Sequence, residues 1–263
     1  MRRLILLALA AFLSGPVMAQ DVGLRSLQTG DDSRGWEAVG RIDLGDRGFC
    51  TGALIADDLV LTAAHCLFDK ETGATIDPAT IKFLAGWRNG RAAAYRGVKK
   101  ALPHPEYIYG GQEELGRVQF DVALLQLDQP IRLPSIKPFE TDDRPTAGDE
   151  VGVVSYAQDR SEAPSLQQVC HVLRRQEGML ILSCDVDFGS SGAPIFSVKN
   201  GVARVVSVVS AKAEVDGKKV ALGTPLTDPV ALLRAKIAEG APSLRPGNVR
   251  VLSGGSGGKF VKP

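Results

Sequence analysis

Residues 184–196 read CDVDFGSSGAPIF, and at their centre Gly189, Ser190, Ser191, Gly192, Ala193 and Pro194 form a small-residue turn between two apolar runs. Glycine frees the backbone there, and small neighbours let a substrate approach closely. A serine in such a turn presents a hydroxyl together with the amides around it. Acyl transfer needs that pairing: a nucleophile, and N–H donors aimed where an oxyanion forms. By itself the turn reads equally as a loop joining two strands. Two other stretches add a base and a carboxylate. His65 follows the strand-like run 59–62, and Asp121 opens the apolar run 121–127. Imidazole titrates near neutral pH and can take a serine proton. A carboxylate on its other nitrogen fixes the tautomer. His, then Asp, then Ser is one of the chain orders in which this triad occurs.

Together LTAAHC (61–66), DVALLQL (121–127) and GSSGAP (189–194) resemble the motifs of the trypsin/chymotrypsin-like serine peptidases, over about residues 36–237. The resemblance implies Ser191 as nucleophile, His65 as base and Asp121 as orienter. It implies an oxyanion hole made by the N–H groups of Gly189 and Ser191. Two positions depart from the family's usual GDSGGP: Ser190 stands where Asp is usual, and Ala193 where the second Gly is usual. Ser190 cannot pair with a new N-terminus as that Asp does in animal enzymes, so that activation switch is expected to be missing. The pattern is nearer the bacterial branch that includes the glutamyl endopeptidases. For the substrate pocket, Asp185 falls where trypsin has its pocket-base aspartate, and Ser207 and Val209 fall on the strand expected to line the pocket. Cys184-Asp185 also resembles a CD pair in bacterial relatives that do not cleave after basic residues, and Val209 falls where glycine usually keeps the pocket open, which would narrow it. That strand holds no histidine, which counts against glutamate specificity, and a trypsin-like preference is the expectation. A non-catalytic homologue that binds proteins through the same cleft is the alternative, and the GSSGAP turn is the feature in its favour.

Length and composition fit these expectations. The chain has 263 residues, 44% hydrophobic and 23% charged, enough for one large domain or two small ones. A net charge of +1 gives no reason to expect nucleic acid or an anionic membrane as partner. The expected partner is a peptide or protein substrate, met by a monomer without cofactor. Residues 1–19 read as a signal peptide: Arg2 and Arg3, an apolar run too short to span a bilayer, and small residues at the cleavage site. Export, to periplasm or medium, makes disulfides available to the four cysteines, which allow three pairings. The family resemblance selects Cys50–Cys66 beside the histidine, with Cys170–Cys184 as the second pair. No CxxC and no His pair at ligand spacing suggests a metal. Of the other histidines, His104 reads as a solvated turn residue and His171 as a structural strand residue.

The elements that must position these groups are short strands. Runs at 36–42, 48–55, 59–62, 81–86, 95–102 and 120–127 precede a proline-rich linker at 130–145. Runs at 151–156, 168–173, 180–184, 193–198, 203–209 and 220–225 follow it. Residues 228–239 carry one helix, with Pro229 in its first turn and Val230, Leu233 and Ile237 on one face. The expected architecture is therefore all-β, two antiparallel six-stranded β-barrels packed face to face with a C-terminal helix, as in chymotrypsin-like proteins. The first barrel is expected over about 35–143 and the second over about 144–226, within a peptidase domain at 35–239. Residues 20–34 are expected as a lead-in or pro-segment and 240–263 as a flexible tail.

Overall fold

The polar pair Arg25–Ser26 makes the short strand β1, and apolar runs punctuated by glycine and aspartate turns become β2 (Val39–Asp43), β3 (Phe49–Ala56), β4 (Leu59–Thr62), β5 (Lys82–Ala85) and β6 (Ala94–Pro103). A short helix, α1 (Glu114–Val118), precedes β7 (Ala123–Leu127). The second half forms β8 (Glu150–Ala157), β9 (Arg160–Gln176), β10 (Met179–Leu182), β11 (Pro194–Lys199), β12 (Val202–Val215), β13 (Lys218–Pro225) and the closing helix α2 (Thr227–Ala238). The computed structural model describes residues 23–110, 114–141, 145–176, 178–215 and 217–246; the signal segment expected at 1–19, and the expected tail from residue 247 on, lie outside them.

Strands β2-β3-β4-β7-β6-β5 close into one antiparallel barrel. The second sheet runs β9-β10-β13-β12-β11-β8, and β8 pairs back onto β9, so six strands again form a ring. The short β1 lies against β9 outside that ring. Closure satisfies backbone groups that an open edge would leave unpaired. Side chains fill each ring: Phe83, Leu61 and Leu124 in the first, Val153, Leu182 and Ile195 in the second. Phe196 joins the two halves, 4.7 Å from the Phe139 ring and 5.0 Å from that of Trp36. This is the chymotrypsin-like architecture.

Three segments differ from expectation. Strands β9 and β12 extend far beyond the runs at 168–173 and 203–209, because hydrogen-bonded pairing carries them through polar residues that no alternation marks. The segment 23–34, expected as a lead-in, is built into the fold. Leu27 N donates to Pro164 O, Arg88 Nη1 to Ser33 Oγ, and Asn89 Nδ2 to Gln28 O, so this strap touches both barrels. Residues 241–245, expected as the start of a loose tail, run back over the first barrel: Leu244 N donates to Ala101 O, and Thr75 Oγ1 to Arg245 O.

The strap carries a testable consequence. Leu27 is fully buried. Leu27→Ala is therefore expected to lower unfolding stability by about 2–5 kcal/mol, the range for a buried leucine truncated in a core. Urea denaturation of wild type and variant measures it. An unchanged midpoint would show that the strap does not belong to the core.

Candidate active site

Strand β4 ends at Thr62, and the chain tightens into a 3-10 turn, Ala64–Leu67, whose four residues are all buried. Cys66 in that turn is bonded to Cys50 on β3, which fixes the turn against the sheet. Asp121 stands between α1 and β7, its N–H held by Val118 O. The two meet inside the first barrel's rim. Asp121 Oδ1 accepts the His65 backbone N–H at 2.8 Å, and Oδ2 lies 2.7 Å from His65 Nδ1. Ser210 Oγ, from β12 of the other barrel, donates to the same Oδ2. An ionised carboxylate only accepts hydrogen bonds, so Nδ1 carries the proton and Nε2 keeps its lone pair. That Nε2 is buried and has no hydrogen-bond partner among the described residues. Burial alone would push the Asp121 carboxyl up. The electrostatic attraction of the His65 ring and the hydrogen bonds from His65 and Ser210 outweigh it and hold the carboxyl below the usual range.

The serine turn is shaped by backbone that only glycine adopts easily. Gly189 has φ +97° and Gly192 φ +75°. A side chain at Gly192 would also collide with Thr62 Oγ1 and Thr51 O, so the turn sits directly against β3 and β4. Thr51 N donates to Ser191 O and Thr51 Oγ1 to Gly189 O, which brings the turn to the barrel that carries His65. Two peptide carbonyls of the turn are already engaged. Phe188 O accepts from Gln158 N, and Ser190 O from Ala193 N. In a trans peptide the N–H points opposite to its carbonyl, so the N–H groups of Gly189 and Ser191 are directed away from those bonds.

Ser190 and Ser191 are neighbours with different surroundings. Ser190 is fully buried; its Oγ donates to Tyr156 O, accepts from Asp187 N, and lies 3.5 Å from Arg160 Nη2. Arg160 also reaches Ser155 Oγ, and burial lowers its guanidinium pKa. Ser190 is thus bound into the scaffold of the turn.

Beside the turn lies a groove of about 510 Å³, with Asp185, Val186 and Asp187 on one side and Lys212, Glu214 and Lys219 on the other. Ser207 and Val209, expected on the pocket wall, do not line this groove. Ser207 and Val209 are fully buried, with Ser207 Oγ donating to Thr224 O and Val209 within the second core. The strand reaches the site three residues later than Ser207, at Ser210, and borders the groove from Lys212 on. A lone serine after the run 205–209 was the available signal, and only the contact with Asp121 gives it meaning. Asp185 does line the groove, exposed, with no ion-pair partner among the described residues. His104 is also corrected. It is buried and stacked on Phe120, with ring centroids 5.0 Å apart, so it is no solvated turn residue. His171 lies in β9 opposite Glu150.

Cys170 and Cys184 form the second disulfide, which ties β9 to the segment leading into the turn. Cys50, His65 and Cys66 are close together, but both sulfurs are spent in a disulfide and cannot bind a metal as thiolates. A larger cavity, about 800 Å³ and lined by Arg34, Glu37, Phe139 and Val202, contains none of the candidate site residues. No helix among the described residues is long and apolar enough to cross a membrane.

Comparison with known proteins supplies the remaining finding. Residues 50–204 match the family model described as trypsin-like peptidase domain, more than half of the chain. A glutamyl endopeptidase of Bacillus licheniformis is 25% identical over 150 residues, 57% of this chain and 45% of its own length. Serine protease 23 of Bos taurus is 27% identical over 166 residues, 56% of this chain and 43% of its own. A trypsin of Phaedon cochleariae is 31% identical over 105 residues, 39% of this chain and 36% of its own. The chain spans less than half the length of each of these relatives.

Proposed function

Because the chain belongs to the trypsin-like peptidase domain family, we propose that it is an exported serine endopeptidase in which Ser191, His65 and Asp121 act together. The observation that carries the reading is the buried His65 ring, with Nδ1 bound to Asp121 and Nε2 unpartnered among the described residues. Such a nitrogen accepts the Ser191 proton as the hydroxyl attacks the scissile carbonyl. The oxyanion then receives hydrogen bonds from the N–H groups of Gly189 and Ser191, each turned outward by its engaged carbonyl. His65 returns the proton to the leaving amine, and a water repeats the sequence to release the acyl group. Beyond Ser210, β12 pairs only with β13 among the described residues, so its other edge is open to a substrate backbone in extended form. A basic side chain before the scissile bond reaches Asp185. Lys212 is paired with Asp187 and Glu214 stands opposite Lys219, while Asp185 makes no contact ion pair among the described residues and shares the field of Arg160.

Residues 1–19 act as the export signal in this reading, and the two disulfides suit periplasm or extracellular medium. The test is labelling with an active-serine organophosphonate, followed by mass mapping of the adduct. The expected result is a single adduct on Ser191. A protein that stays unlabelled while folded would instead be a non-catalytic homologue that binds through the same groove.

A further inference from the structure

Lys212 Nζ crosses from β12 to Asp187 Oδ1 at 2.6 Å and sits 4.3 Å from the centre of the Phe188 ring. The partners belong to opposite walls. Lys212 lies two residues beyond Ser210, and Asp187 begins the turn that leads to Ser191. Asp187 Oδ1 also accepts the Phe188 N–H, so its carboxylate is fixed by the turn as well as by the lysine. The lysine hydrogen bond is the largest influence holding that carboxyl below its usual range.

An ammonium at this place is unexpected in a groove meant for a cationic side chain. Free, it would repel arginine or lysine and attract a carboxylate. Paired, its charge is neutralised and its chain is drawn toward Phe188. The remaining charges near the groove do not substitute for this pairing. Lys219 stands opposite Glu214, and the half-buried Arg160, 3.5 Å from Asp159, acts at longer range on both Asp185 and Asp187. We propose that Asp187 masks Lys212, and that this pair sets the charge preference of the groove: masked, Asp185 selects a basic residue; unmasked, Lys212 selects an acidic one. The proposal rests on the peptidase reading above and names the residues that decide its substrate class.

The experiment compares wild type, Lys212→Ala, Asp187→Asn and the double variant. Each is assayed on peptide amides that differ only in arginine or glutamate before the scissile bond. The ratio of the two kcat/KM values is the readout, because damage to the turn lowers both and cancels. Wild type is expected to favour arginine. Asp187→Asn is expected to lower the arginine-to-glutamate ratio on the order of tenfold, through the exposed like charge. In the Lys212→Ala background the freed Asp187 carboxylate itself favours arginine, so the double variant, with neither charge, should return to the wild-type ratio. Benzamidine binding is measured by calorimetry in parallel. Its affinity should fall in Asp187→Asn and recover in the double variant. If hydrolysis is absent but the benzamidine pattern holds, the catalytic reading fails and the masking pair stands. A wild-type preference for glutamate overturns the pair. So does a double variant whose ratio or benzamidine affinity stays at the Asp187→Asn value.

Discussion

Ser191→Ala is expected to abolish peptide-bond hydrolysis, by about 10⁶-fold in kcat, the scale seen when the nucleophile of such a triad is removed. The fold should be unaffected, because the change deletes one oxygen and leaves the Thr51 N–H bonded to the carbonyl of residue 191. Ser190→Ala should do the reverse. Its hydroxyl is bound into the turn by Tyr156 O and Asp187 N. Removing it leaves both groups short of a partner, at about 1–3 kcal/mol of stability for a buried group left unsatisfied. The chemistry of Ser191 is untouched, so activity survives at a reduced level. Initial rates and thermal melts on the two variants separate the roles. An inactive Ser190→Ala that melts normally, beside an active Ser191→Ala, would reverse the assignment.

Sequence reached the architecture because its signals are local. Small-residue turns and short apolar runs recur through both halves, and the motifs around His65, Asp121 and Ser191 each lie within a few residues. Both disulfides followed from the resemblance and are present as expected. What sequence missed depends on contacts between distant segments. Ser210 meets Asp121 across 89 positions. No periodicity distinguishes it from Ser207, another serine on the same strand. His104 precedes a proline and reads as a turn, yet the Phe120 ring covers it. The strap at 23–34 reads as polar and irregular, because its attachment rests on two strand residues, one buried leucine and hydrogen bonds at Gln28 and Ser33. Strand β9 contains Pro164, which argues against a central strand from sequence. The carbonyl of Pro164 is used by Leu27 N, so pairing continues through it on the side that needs no N–H from proline.

Those same distant contacts make Asp121→Asn the sharpest test of the orienter. Asp121 Oδ1 accepts the His65 backbone N–H, and Oδ2 accepts from both Nδ1 and Ser210. An asparagine must keep its oxygen toward the backbone N–H, which can only donate. Its amide nitrogen then faces Nδ1 and donates to it. The imidazole is forced to carry its proton on Nε2, where it cannot accept one from Ser191. A loss of about 10⁴-fold in kcat is expected, with little change in substrate binding, as for the same substitution in a serine triad. Stability supplies a second readout with a definite sign. The folded Asp121 carboxyl lies below the usual range, so its contribution is complete above the ordinary carboxylate value of about 3.9 and is lost as pH falls through the folded value. The asparagine variant has no such contribution. It should therefore be less stable than wild type at neutral pH, with the gap closing as pH drops below about 4. Urea midpoints measured from pH 7 down to pH 3 test this. A wild type that instead gains stability on the variant as pH falls would mean that Asp121 is not charged in the folded protein, and the tautomer argument would fall with it.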